Sequence, residues 1–322
     1  MKCYFCFTAP DSDNEVYTNL FKLSLESALN NTSLILCILY DGPTNHKCFD
    51  LIKNYQENFP NRINVIPHEF SHKIYLKNAY PEKYLEKYGI TTSYDKLAGT
   101  FMRLDIPFIE RDENFVLYTD IDVYFTDDVH LDKLPKPKYL AASPEFVKDP
   151  LQMSYFNAGV LLLNIKNMQE KCQCIFSDLK KGKPNQTGLF DQGFLNQYCF
   201  DKMDILPIEY NWKPYWGINS NAKIIHYHGI KPGGNYRNSG FKMNEKTLFK
   251  MSNLYPESIA GLIYYIQLFF QENKISSTNW LPNFIEQLVR VNQKYISEHL
   301  EHVNTSDLKK ILKIYLKHKL HL

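Results

Sequence analysis

The sequence predicts a doubly wound α/β domain followed by an all-helical extension. Three observations carry this reading. Over the first 165 residues, short β-rich runs alternate with stretches of helical periodicity. The β-rich runs are continuously apolar rather than alternating, which means burial on both faces, as in a parallel sheet sandwiched by helices. From about Phe241 only helical patterns remain. The domain boundary is therefore placed in the glycine-rich stretch Gly233 to Gly240, giving a first domain over 1–240 and an extension over 241–322.

Taken in order, Cys3–Thr8 reads as a buried strand that starts at once, and Val16–Leu29 as a helix with Leu20, Leu23, Leu25 and Ala28 on one face. Leu34–Tyr40 is an apolar run closed by Asp41-Gly42-Pro43. Phe49–Phe59 is helical, Ile63–Ile66 is a short strand, and Phe115–Thr119 and Phe156–Asn164 are two further apolar runs. The extension reads as helices over Glu257–Gln271, Trp280–Lys294 and Ser306–Lys319. In the last of these, Leu308, Ile311, Leu312, Tyr315 and Leu316 follow helical spacing while Lys309, Lys310, Lys313 and Lys317 cover the rest. That pattern makes a basic amphipathic helix, of the kind that lies in a membrane interface.

Composition narrows the function classes. Apolar residues are 44 % and charged residues 22 % of the 322, which excludes a disordered, collagenous or coiled-coil chain. Lys+Arg 37 against Asp+Glu 35 is too balanced for a protein that coats nucleic acid. Setting aside the five lysines of 308–322 leaves 32 basic against 35 acidic residues, a slightly acidic body with a basic tail. No stretch reaches the roughly 20 apolar residues of a spanning helix, and the apolar run at the N-terminus is too short for a signal peptide. Seven scattered cysteines fit a reducing, cytoplasmic setting. Cys3-x-x-Cys6 and Cys172-x-Cys174 have no second pair at zinc-finger distance and read as ordinary thiols.

In doubly wound sheets ligands sit beyond the carboxyl ends of the strands. There, Phe115-Val116-Leu117-Tyr118-Thr119 runs into Asp120-Ile121-Asp122. In extended backbone the two carboxylates share a face, and two like charges that close call for a cation between them. Oxygen ligands suit Mg²⁺ or Mn²⁺. A second run, Lys223-Ile224-Ile225, ends in His226-Tyr227-His228-Gly229-Ile230-Lys231. It offers an imidazole for the same cation, a glycine for close backbone approach and a lysine suited to phosphate, with His228 on the face of His226 if the strand continues. Asn157, Ala158 and Gly159 open a buried strand, and Asp191 and Gln192 open a helix, where Asp191 also suits an N-cap. Trp212 and Trp216 stand among four closely spaced aromatics and could stack on sugar faces.

In this order, these segments resemble the family 8 glycosyltransferases, the retaining GT-A enzymes that include glycogenin and bacterial lipopolysaccharide galactosyltransferases. The matching runs are Thr8-Ala9, Phe101-Met102-Arg103-Leu104-Asp105, Asp120-x-Asp122, Phe156-Asn157-Ala158-Gly159, Asp191-Gln192-x-x-Leu195-Asn196, Leu206-Pro207 with Tyr210-Asn211, and His226-x-x-Gly229 with Lys231-Pro232. They cover residues 1 to about 235. One residue separates Gly229 from Lys231 where the family usually has two, and Gly233 stands where it has Trp.

The resemblance implies a GT-A nucleotide-sugar-binding domain that moves a hexose, glucose or galactose, from a UDP-sugar to a hydroxyl on a glycan, lipid-linked glycan or protein. It implies Mn²⁺ or Mg²⁺ on Asp120, Asp122 and His226, with Ile121 between the carboxylates in the donor site. Gly229 and Lys231 would meet the pyrophosphate. Arg103, Asn157, Ala158, Asp191 and Gln192 would surround the donor sugar, and Thr8 and Ala9 the base, with Asp11 or Asp13 near uracil and ribose. Asp191 and Gln192 are then the catalytic candidates, with Trp212 and Trp216 for the acceptor. Gln192 is a poor nucleophile, which favours same-face attack over a covalent intermediate. The competing classes are a metal-dependent nucleotidyltransferase or phosphohydrolase, which cleaves at the α-phosphate, and a non-catalytic sugar-nucleotide-binding protein. The body is expected to be cytoplasmic, with peripheral membrane contact through 304–322.

Overall fold

The protein is described here from a computed structural model covering residues 1–9, 15–87, 93–130, 133–187, 190–232, 245–274 and 280–299. The elements are β1 (Lys2–Thr8), α1 (Glu15–Asn31), β2 (Ile35–Asp41), α2 (Lys47–Asn58) and β3 (Ile63–Pro67), then α3 (Leu76–Ala79), α4 (Glu82–Lys87), α5 (Tyr94–Phe101) and α6 (Ile106–Ile109). They continue with β4 (Phe115–Thr119), β5 (Val123–Phe125), β6 (Leu140–Pro144), β7 (Phe156–Asn164), α7 (Ile165–Lys180), α8 (Phe190–Cys199), β8 (Asp204–Ile205) and β9 (Ile224–His226). The last are α9 (Glu245–Ser252), α10 (Ser258–Glu272) and α11 (Trp280–His299).

A seven-stranded sheet has the order β3-β2-β1-β4-β7-β6-β8, and β5 pairs with β9 in a separate two-stranded sheet. Strands β3, β2, β1 and β4 are mutually parallel, whereas β7 runs antiparallel to both β4 and β6. The expected α/β class holds, with one strand reversed. Continuous apolarity reports burial on both faces and is indifferent to strand direction, so it could not have shown the reversal of Phe156–Asn164. The reversal matters for the site, because the amino end of β7 comes to lie beside the carboxyl ends of β4 and β6.

Along β1, β4 and β7 successive side chains enter two separate cores. Tyr4, Val116, Tyr118, Phe156, Ala158, Leu161 and Leu163 belong to one. Phe5, Phe7, Leu117, Val160 and Leu162 belong to the other. Each apolar residue added to such a strand removes its surface from water on one side or the other, at about 25 cal/mol per Å². All seven cysteines are free thiols.

The chain forms two compact units, one of residues 1–212 and 221–226, the other of residues 213–220 and 227–322. In the second, α10 buries Leu262, Tyr265, Ile266, Phe269 and Phe270. There Gly261 lies so close to the Pro214 carbonyl that a Cβ would sit 2.2 Å from it. In α11, Phe284, Leu288 and Val291 are buried at helical spacing, and Asn292 donates to Ser252 Oγ of α9 at 3.0 Å. Among the described residues no helix is long and apolar enough to cross a membrane. The expected terminal helix and the glycine-rich stretch 233–240 lie outside the described residues.

Candidate active site

Asp120 follows the end of β4, and Asp122 stands in the bend that leads into β5. The two strands belong to different sheets, so the chain must turn between them. Ser24 of α1 clasps this turn. Its hydroxyl faces the carbonyls of Ile121 (2.6 Å) and Val123 (2.7 Å) and accepts from the Val123 N–H (3.2 Å). On the other side the Asp120 N–H donates to the Gly159 carbonyl at 2.7 Å.

Pairing of β5 with β9 sets Val123 opposite His226 and thereby brings the imidazole beside the bend. His226 Nε2 lies 3.5 Å from Asp122 Oδ1 and 3.9 Å from Asp120 Oδ2. One potential ligand atom from each of the three residues lies within 4.8 Å of the others. Two carboxylates and an imidazole nitrogen facing one another form a donor set that fits Mn²⁺ or Mg²⁺. The ring packs directly on β7, where a Cβ at Gly159 would come within 2.1 Å of His226 Cε1. β9 ends at His226, so His228 does not share its strand face; His228 Nδ1 is 2.9 Å from Tyr215 Oη.

A buried arginine ties the bend to α8. Arg103 Nη2 donates to Asp120 Oδ1 at 3.0 Å, Nε donates to the Thr100 carbonyl at 3.1 Å, and Nη1 donates to the Ala158 carbonyl. Its guanidinium lies 4.5 Å over the Tyr118 ring, whose hydroxyl also donates to Asp120 Oδ1, at 2.6 Å. Asp191 Oδ2 is 2.9 Å from Arg103 Nε, but that N–H is directed at Thr100. Among the described residues this oxygen therefore has no aligned hydrogen-bond donor. Burial raises the Asp191 pKa above the ordinary carboxylate value, and Arg103 limits the rise. Burial likewise opposes the charge on Arg103, but Asp120 and Asp191 more than restore it, leaving its pKa above normal. Asp191 does not cap α8: it stands inside the first turn, after Phe190 at φ +51°.

The amino end of β7 completes the group. Gln192 Oε1 accepts from the Ala158 N–H at 2.8 Å, and Gln192 Nε2 lies 3.2 Å from Glu145 Oε2. The same carboxylate oxygen accepts from Asn157 Nδ2 at 2.7 Å. Thus Arg103, Asp120, Asp122, Asn157, Ala158, Asp191, Gln192 and His226, drawn from five separate segments, meet beyond the carboxyl end of β4 and the amino end of β7.

The model of glycosyl transferase family 8 matches residues 13–233, more than half of the chain. The chain belongs to this family. A curated relative, the glycosyltransferase GlyB of Streptococcus pneumoniae serotype 4 (strain ATCC BAA-334 / TIGR4), is 26 % identical over 165 residues. That match covers 45 % of this chain and only 40 % of GlyB, so the chain spans less than half of the relative it resembles. Among solved structures, the galactosyltransferase LgtC in complex with donor and acceptor sugar analogs superposes with a TM-score of 0.54. The identity is 18 %, over 85 % of this chain and 95 % of that one. The apo form of mouse xyloside xylosyltransferase 1 gives a TM-score of 0.50 at 13 % identity, over 72 % of this chain and 98 % of that one. At such identities these superpositions speak for the fold, and the fold is that of the GT-A glycosyltransferases.

Within this family 8 glycosyltransferase the other expected residues fall as follows. Thr8 ends β1 with its Oγ1 buried and, among the described residues, without a hydrogen-bond partner, and the Ala9 N–H donates to the Asp41 carbonyl at 2.8 Å. Asp11 and Asp13 lie outside the described residues. Gly229, at φ +80°, and Lys231, whose Nζ donates to the Tyr227 carbonyl at 3.2 Å, belong to the second compact unit. Trp212 is 7 % exposed, with Lys148 Nζ 5.8 Å over its ring. Trp216 is wholly buried, with Lys213 Nζ 4.3 Å over its ring. Such burial gives Trp216 a packing role and leaves no ring face for a stacking sugar.

Three residues escaped the sequence reading: Ser24, Glu145 and Asn211 as a partner of His226. Glu145 directly follows β6, so the rule that found Asp120 after β4 would have found it. Leu140-Ala141-Ala142 was too short an apolar run to be read as a strand. Ser24 carries no local signal, since its hydroxyl acts 97 and 99 residues away.

Proposed function

We propose that this glycosyltransferase moves a hexose, glucose or galactose, from a UDP-sugar to a hydroxyl acceptor with retention of configuration, holding Mn²⁺ or Mg²⁺ on Asp120, Asp122 and His226. The observation that carries this is the convergence of those three donors beside the buried Arg103–Asp191 pair. When bound, the cation supplies fixed positive charge toward a departing nucleotide diphosphate. Lys231 would contribute a cation, and Gly229 its backbone, to the pyrophosphate. Thr8 Oγ1 and Ala9 would face the base.

On the sugar side, Arg103 holds Asp191 and Asp120 in place, and the Asp191 carboxylate would orient the donor sugar. Gln192 is held at both ends, by the Ala158 N–H and by Glu145. A neutral amide so restrained supports the sugar and does not attack it, which favours same-face delivery of the acceptor. Its proton would then pass to the leaving phosphate oxygen. We assign the lysine-rich segment 304–322 to contact with an anionic membrane surface, where a lipid-linked acceptor would be met.

The test is incubation with a panel of nucleotide sugars and Mn²⁺, reading which nucleotide is released. Release of UDP, abolished by chelator and reduced about 10²-fold or more in Asp120→Asn, is expected. Cleavage at the α-phosphate would point to a nucleotidyltransferase. Undiminished turnover in excess chelator would remove the metal from the mechanism.

A further inference from the structure

We propose that Asn211 is a positioning residue that holds His226 as its Nδ1–H tautomer, leaving the Nε2 lone pair directed at Asp120 and Asp122. The inference rests on the metal reading above only for its consequence; the tautomer itself follows from a chain of buried hydrogen bonds whose directions are forced.

The chain starts at Asn157, which is 2 % exposed. Its side-chain oxygen and nitrogen are fixed by two unrelated partners. The Gly159 backbone N–H, which can only donate, lies 3.0 Å from one end, so that end is Oδ1. Glu145 Oε2, a carboxylate oxygen, lies 2.7 Å from the other end, so that end is Nδ2. Asn211, with no exposure, approaches Asn157 Oδ1 at 3.0 Å and must therefore present its own Nδ2. That turns Asn211 Oδ1 toward His226 Nδ1, again at 3.0 Å. An amide oxygen has no hydrogen to give, so the proton of this contact belongs to His226 Nδ1. A neutral ring protonated there carries its lone pair on Nε2, the atom 3.5 Å from Asp122 and 3.9 Å from Asp120.

Two further features make the arrangement rigid. The backbone places Asn211 by the strand, because the His226 N–H donates to the Trp212 carbonyl at 2.7 Å and the Trp212 N–H to the Ile224 carbonyl at 2.9 Å. The ring is 1 % exposed and presses on Gly159, which limits its rotation. Without such a device, the two carboxylates would favour Nε2–H, which points a proton at them and withdraws the nitrogen as a ligand. Partners that orient a ligating histidine are worth 10–100-fold in metal affinity.

The experiment uses the full chain, labelled with ¹⁵N at histidine, together with His226→Gln to assign the resonances. In the metal-free protein, at a pH where the ring is neutral, His226 is expected to show a pyrrole-type Nδ1 and a pyridine-type Nε2. Asn211→Leu removes the acceptor, and is expected to lose that signature and to bind Mn²⁺ about 10–100-fold more weakly in titrations followed by electron paramagnetic resonance. Asn211→Asp keeps an acceptor oxygen for Nδ1 but loses the donor to Asn157 Oδ1, so the Nδ1–H signature is expected to return while stability falls, which separates this role from mere packing. If Asn211→Leu does not fold, the wild-type spectrum and Asn211→Asp still decide. A neutral wild-type ring that carries its proton on Nε2 overturns the inference, as does an Asn211→Leu variant with unchanged tautomer and Mn²⁺ affinity. A correct tautomer in a protein that binds no Mn²⁺ leaves the inference standing and defeats the metal reading.

Discussion

A single hydrogen atom on Gly159 decides whether His226 can face the two aspartates. Any Cβ there would meet His226 Cε1 at 2.1 Å and both ring nitrogens within 2.9 Å. The ring cannot swing aside, since Asn211 holds Nδ1 and the backbone of His226 is tied to Trp212. Nor can the strand retreat, because the Gly159 carbonyl also accepts from Asp120. Forcing one methyl into such a space costs about 1–3 kcal/mol. Gly159→Ala is therefore expected to lower the stability by that amount in urea unfolding. Mn²⁺ affinity is expected to fall at least tenfold in a direct titration of the folded protein. A Gly159→Ala protein that unfolds and binds Mn²⁺ like the wild type would show that the ring has room to move. Asp120, Asp122 and His226 were legible in the sequence because they follow apolar runs, where a sheet ends. Their common geometry was not, since it depends on a glycine and an amide 15 to 67 residues distant from His226 along the chain.

Among elements, the start of β1 depends on one loop carboxylate. Glu110, which follows α6, accepts from Lys2 Nζ (3.0 Å) and Tyr4 Oη (2.7 Å), and from the N–H groups of Arg111 (2.9 Å), Asp112 (2.7 Å) and Glu113 (3.1 Å). Burial works against its ionisation, yet Tyr4, the Asp112 and Glu113 N–H groups and Lys2 together hold its pKa down at about 2. A carboxylate depressed from its ordinary 4.5 contributes stability that is fully present above pH 4.5 and is lost as pH falls toward 2. Glu110→Gln should lower the unfolding free energy at pH 7, read from urea titration, by about 1–3 kcal/mol for a hydrogen-bonded charge. It should also flatten the decline between pH 4.5 and 2. An unchanged pH profile would mean that Glu110 is not the group being titrated. Several long elements were readable from periodicity: β4 and β7 have the bounds expected, and α1, α2, β2 and β3 differ by a few residues at their ends, whereas the helix α7 was not among those read. Of the short ones, β9 is legible as an apolar run ending in His226. β5 has three residues and β8 two, so only their pairing partners define them.

Across the whole molecule, charge is distributed so that the last 15 residues carry five lysines and no acid while the rest is slightly acidic. Attraction of a basic residue to an anionic membrane is worth about 1 kcal/mol when it lies near the surface. Five together amount to about 5 kcal/mol, or a partition ratio of roughly 10³–10⁴ at 1.4 kcal/mol per decade. An acidic body would oppose this only weakly, because repulsion from beyond a Debye length of about 10 Å at 0.1 M salt is screened. The full chain is therefore expected to co-sediment with phosphatidylserine-containing vesicles at low salt and to be released near 1 M. It should ignore purely phosphatidylcholine vesicles. Replacing Lys309, Lys310, Lys313, Lys317 and Lys319 by Gln should abolish the pelleting and leave UDP release from a soluble donor unchanged. Pelleting that survives the replacement would move the contact elsewhere on the protein. No pelleting of either form would leave the lysines as simply solvated charges.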